Sequence, residues 1–165
     1  MENKPMIIET PKEITAGGIA ALNELRAIVA TRPDKLVIQG KQYLYFPDWQ
    51  LLGRFFGITA QVTEVTRLTE SVPVPIDPKF TVEKFIGFHA RADALKDGKV
   101  ISSAEAICMT DEPNWKGKQQ SFLYSMAQTR ACAKVLRNVL QWIVRLPTEK
   151  EVMQFADESA EEIEQ

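Results

Sequence analysis

A chain of 165 residues with 45% apolar content can build one hydrophobic core, and its apolar runs are shorter than the roughly 18–20 residues a membrane span needs. Glu2 stands near the start with no leader-like apolar stretch after it, so the expected location is cytoplasmic, with no membrane partner. The net charge of −2 hides an asymmetry: residues 147–165 hold seven acids and one base, Lys150, for a net −6, which leaves +4 on residues 1–146.

This division suggests a basic domain over residues 1–146 and an acidic tail or short helix over 147–165. Along the domain, helical spacing of Ile19, Leu22, Leu25 and Val29 predicts a first helix over 14–30. Leu36-Val37-Ile38 and Tyr43-Leu44-Tyr45-Phe46 flank Gln39–Gln42 and suggest a first hairpin. Pro47 then opens a short helix, Asp48 to Phe56, which Gly57 stops. Ile58–Leu68, rich in Thr and Val, reads as a strand, and Pro73, Pro75 and Pro78 make Ser71–Lys79 a loop.

Two long strands follow, Phe80–Leu95 and Lys99–Thr110, joined at Asp97-Gly98, the strongest short hairpin signal. A loop, Asp111–Gly117, leads into a long helix from about Gln119 to Leu146. Thr148-x-x-Glu151 matches a capping box and predicts a last short helix. The order α-β-β-α-β-β-β-α-α describes an α+β domain.

On the long helix, Cys132, Val135, Leu136, Val139, Leu140 and Ile143 share an arc of roughly 140°. Arg130, Lys134, Arg137, Gln141 and Arg145 share an arc roughly 80° wide on the opposite side. Residues 113–146 contain no acid but hold Lys116, Lys118, Arg130, Lys134, Arg137 and Arg145. Cations one helical turn apart, about 5–6 Å, approximate the phosphate spacing of an extended strand. A basic face opposite an apolar one is often only solvated, yet most such faces mix signs.

Three stretches resemble the Rad52 family of single-strand annealing proteins, including its phage-borne relatives. They are Leu36–Gly40 followed by Asp48–Gly57, the hairpin FIGFHARADALKDGKVISSAEA, and the helix QTRACAKVLRNVL. The resemblance implies a helix, a curved antiparallel sheet with a long hairpin, and a long helix packed on that sheet. It also implies homo-oligomeric rings or helical filaments that hold single-stranded DNA in a basic groove, for annealing in recombination and repair. One family cation carries over to Arg137; Asn138 and Gln141 replace two others, and Val37 replaces an aromatic.

The expected mechanism is electrostatic: phosphates are neutralised, counterions released and bases left free to pair with a second strand. Besides the helix and its preceding lysines, Lys35 and Lys41 in the first hairpin and Arg91, Lys96 and Lys99 in the second are candidate contacts. Trp115, in a Lys/Gly loop, is the stacking candidate, whereas Trp49 and Trp142 read as core or subunit-interface residues. Cys108 and Cys132 read as small core residues, and the lone His89 has no second ligand nearby, so neither metal nor cofactor is expected. Three alternatives stay open. Asp48 with Asp97-Gly98-Lys99 imitates a metal-dependent nuclease site, the acidic tail could dock a protein partner, and RNA could replace DNA.

Overall fold

Helix α1 (Pro11–Ala30) begins with a capping box: the Thr10 hydroxyl accepts from the Glu13 amide at 3.3 Å, and the Glu13 carboxylate accepts from the Thr10 amide at 2.7 Å. Helix entry at Pro11 is earlier than Ile14, the residue that periodicity indicates; the signal was Thr10-Pro11-x-Glu13, a cap followed by proline in the first turn. Leu22, Leu25 and Val29 bury one face. Gly18 leaves room on that helix for Trp142 and Leu146: a Cβ there would lie 2.7 Å from Leu146 Cδ1 and 3.0 Å from the Trp142 ring.

The computed structural model describes residues 9–33, 37–38, 41–147 and 151. They belong to two compact units, the first drawn from 1–43 and 141–165 and the second being Leu44–Leu140. In the first, β1 (Val37–Ile38) pairs antiparallel with β2 (Lys41–Gln42), so the returning strand begins before the expected Tyr43–Phe46. Lys35, the helix expected from Thr148 and nearly all of the acidic tail lie outside the described residues.

The second unit starts with α2 (Phe46–Phe55). Asp48 Oδ2 accepts from the Tyr45 amide at 2.8 Å, and this bond to a fully buried carboxylate ties the helix entry down. An open antiparallel sheet follows in the order β3 (Ile58–Pro73), β4 (Thr81–Lys96), β5 (Lys99–Met109). The β3 strand runs past Leu68 into the segment whose prolines suggested a loop. Pro73 is tolerated because it ends an edge strand, and Glu83 accepts hydrogen bonds from the Thr69 and Ser71 hydroxyls across the pair. Between β4 and β5, Asp97 (φ 51°) and Gly98 (φ 72°) form the two-residue turn with positive φ at both positions that the sequence signals.

Helix α3 (Gln120–Val144) packs on this sheet. Alanines are fully buried on both elements: Ala127 and Ala131 on the helix, and Ala90, Ala92 and Ala94 on β4. A second face of α3, with Cys132, Leu136 and Leu140, is also buried, and a Cβ at Gly53 of α2 would lie 3.5 Å from Leu136. Burying each such leucine contributes roughly 2 kcal/mol. The chain is thus α+β as expected, and among the described residues no helix is long and apolar enough to cross a membrane.

Candidate nucleic-acid interface

Alternate residues of an antiparallel strand turn their backbone groups the same way. On β5, the outer strand beside α3, Glu105, Ile107 and Met109 form such a series, and each has a backbone group bonded to a side chain. The Glu105 carbonyl accepts from Lys134 Nζ at 3.1 Å, and the Ile107 carbonyl accepts from Arg130 Nη1 at 2.7 Å. The Met109 amide donates to Glu112 Oε1 at 2.8 Å. Two helix cations and one loop carboxylate thus occupy the outer edge of β5.

This placement differs from a solvated row of cations. Arg130 is only 35% exposed and forms a two-pronged ion pair with Glu112, at 2.7 Å to Oε1 and 2.5 Å to Oε2. The guanidinium holds the Glu112 carboxyl below its ordinary range, and Glu112 in turn keeps Arg130 more firmly protonated. Apolar periodicity sets Arg130 opposite the apolar arc because alanines such as Ala127 and Ala131 carry little apolar weight. Those alanines are buried, so the sheet-facing side of α3 is rotated toward Arg130 and Lys134. In the sequence Glu112 reads only as the boundary of the acid-free stretch that follows it.

Next to this edge lies a cleft of about 370 Å³ lined by Arg91, Ser103, Ala104, Glu105, Lys134 and Asn138. Arg91 comes from β4 and Lys134 with Asn138 from α3, one helical turn apart. Arg91 Nε lies 4.0 Å from Asp93, and Asp93 also accepts from the Ser103 hydroxyl at 2.6 Å. The acid in the cleft, Glu105, lies 3.3 Å from His89 Nε2, so the lone histidine faces a carboxylate on the sheet. Asn138, which breaks the family pattern of cations, is a cleft wall here; only the fold could show that.

The other sequence candidates are more dispersed. Arg137 is exposed on α3, Lys96 and Lys99 are exposed on either side of the hairpin turn, and Lys116 and Lys118 are exposed in the loop before α3. Trp115 is half-buried in that loop. Arg145 is exposed just after α3 and belongs to the first unit, and Lys41 forms part of β2. Two further arginines carry no signal in the sequence pattern. Arg54 lines a second cavity of about 370 Å³ with Gln50, Ile58, Thr59, Ala60 and Leu136. Arg67 lies 4.6 Å from the centre of the Phe85 ring and donates to Gln120 at 2.9 Å.

Trp49 is a core residue, while Trp142 is 42% exposed. Both cysteines are buried and free, and burial raises the pKa of each thiol. Of the two acids that imitate a nuclease pair, Asp48 caps α2 from a buried position and Asp97 stands exposed in the turn. No group of three or more potential metal ligands occurs among the described residues. Comparisons with protein-family models, curated proteins and solved structures give no match for this chain.

Proposed function

We propose that the protein binds single-stranded DNA along the groove between α3 and the β5 edge and anneals it to a complementary strand without covalent chemistry. The observation that carries this reading is the cleft at the β5 edge, which Arg91 and Glu105 of the sheet and Lys134 and Asn138 of the helix all line. Exposed Arg137 extends the basic surface along α3, and Lys96 and Lys99 extend it at the hairpin tip. Such a surface neutralises phosphates without reading base edges, which leaves the bases free to pair.

A fluorescence anisotropy titration with single-stranded and duplex oligonucleotides over a salt series tests this reading. The expected result is preference for the single strand, with affinity falling by a log–log slope of about −0.7 per phosphate neutralised. A second assay follows two complementary oligonucleotides carrying a fluorescence donor and acceptor, which the protein should bring together faster than they anneal alone. Absence of binding at low salt, a sequence-specific duplex preference, or binding without faster annealing would each count against the reading.

The same reading includes self-assembly. β3 is an edge strand of 16 residues, and among the described residues no strand lies along its other side. Exposed backbone of that length invites pairing unless it is covered. Light scattering at micromolar concentration should show a homo-oligomer, and Thr66→Lys, a charge on the exposed β3 edge, should reduce its mass. A stable monomer of the unaltered chain would refute this part.

A further inference from the structure

We propose that Glu112, although acidic, is a positioning residue for DNA binding: its carboxylate holds the loop that presents Trp115, Lys116 and Lys118. The inference rests on the DNA-binding reading above and deepens it.

Glu112 connects this loop to the rest of the unit from both ends of the residue. Its carboxylate is anchored to the Met109 amide at 2.8 Å and to both terminal nitrogens of Arg130. Its main-chain carbonyl accepts from the amides of Trp115 and Lys116, both at 2.9 Å, and the Trp115 carbonyl accepts from the Lys118 amide at 3.1 Å. Among the described residues, the hydrogen bonds that tie 111–117 to strand and helix all run through Glu112. Arg130 is fixed in turn by the Ile107 carbonyl on β5, so the path from the sheet edge to the two lysines is continuous.

Simple electrostatics makes the opposite forecast. Removing a negative charge beside a surface that binds a polyanion should raise affinity. Freeing the loop, however, releases two lysines from a fixed position, and ordering them again on DNA costs conformational entropy. The sign of the effect therefore separates the two accounts.

The test uses the full chain and a single-stranded oligothymidylate of about 30 nucleotides, with anisotropy read over a salt series. Glu112→Gln removes the charge, whereas Glu112→Asp keeps it but shortens the arm that must reach both Met109 and Arg130. For each, the expected result is at least a fivefold loss of affinity near 0.1 M salt. The salt slope should be shallower by about 1.4, the share of two phosphate contacts at roughly 0.7 each.

Lys116→Ala with Lys118→Ala should give the same change in slope, and adding Glu112→Gln to that pair should cost little more. A merely structural role would lower the melting temperature without moving the slope of the folded protein. Unchanged or tighter binding by either Glu112 variant at parental slope, or full additivity with the lysine pair, would overturn the proposal while the DNA-binding reading stands. Failure of the parent chain to bind the oligonucleotide would instead remove the reading beneath it.

Discussion

The two outer strands of the sheet meet the same problem in different ways. On β5, three successive edge positions are bonded to Lys134, Arg130 and Glu112. On β3, which is longer, the register breaks between Val62 and Glu64 and between Leu68 and Thr69, and no neighbouring strand lies along its other side among the described residues. An edge closed by side chains cannot accept another strand, whereas an edge interrupted by register breaks still can. The lesson concerns the cations on α3 as well. Arg130 is part of the protein's own architecture, Arg137 is exposed, and Lys134 stands between, both sealing the edge and lining the cleft.

The largest effect should come from breaking the closed edge. Arg130→Met removes the partner of a Glu112 carboxylate that is 28% exposed and leaves the Ile107 carbonyl without its donor. Charge-assisted hydrogen bonds of this kind contribute roughly 1.5–3 kcal/mol, and partial exposure at both ends places the expected loss near 2 kcal/mol. Urea or thermal denaturation measures it. Arg137→Ala, on an exposed position of the same helix, should change stability by under about 0.5 kcal/mol. Equal effects would show that the ion pair holds nothing.

Acid should attack the same place. The folded pKa of Glu112 is depressed, chiefly by its hydrogen bonds with Arg130, below the ordinary 4.5. Its stabilisation is therefore fully present above about pH 4.5 and lost as pH falls through the depressed value. Glu112→Gln should flatten this limb of the stability–pH profile; an unchanged limb would assign acid sensitivity to other carboxylates.

A smaller effect, chiefly on binding, is expected from the exposed side of this division, although Lys134 also gives up its bond to the Glu105 carbonyl. Lys134→Glu with Arg137→Glu reverses two charges at the groove while leaving the Arg130–Glu112 pair intact. Single-strand affinity should fall at least tenfold, about 1.4 kcal/mol, with the circular dichroism spectrum preserved. Including Arg130 in the reversal would confuse binding with folding. Parental affinity in the folded double variant would make the helix surface an ordinary solvated face.

The parts of this division legible in the sequence are those governed by local rules. Strand periodicity, the Asp97-Gly98 turn and the long helix all appear close to their expected bounds because turn chemistry and hydrophobic spacing act over a few residues. The rotation of α3 is hidden because alanine carries little apolar weight, yet Ala127 and Ala131 are fully buried, as are Ala90 and Ala92 of the sheet. Arg91 and Lys134 were each nameable from charge, yet their meeting in one cleft depends on tertiary packing. Glu112 was hidden for a different reason. An acid beside a basic run reads as its boundary, and only the fold shows that it grips Arg130.

The smallest effect, that of Asp97→Asn, concerns the hairpin tip that sets the register of the closed edge. Asp97 and Gly98 both take positive φ, so Lys96 faces Lys99 and, farther along, Arg91 faces Glu105 and His89 faces Ile107. A one-residue slip would turn the side chains of Glu105 and Ile107 to the other face and withdraw their carbonyls from Lys134 and Arg130. Asparagine suits the same turn as aspartate, so Asp97→Asn should shift stability by less than about 0.5 kcal/mol and leave the binding of single-stranded DNA unchanged. Asp97→Val, a β-branched residue forced to positive φ, should cost roughly 1–2 kcal/mol and weaken the closed edge through its register. Denaturation and anisotropy on the two variants separate the turn's role from any chemistry of the carboxylate. If magnesium-dependent DNA cleavage were found in the parent and lost in Asp97→Asn, the residue would be part of a nuclease site, and the closed edge would be a scaffold for catalysis.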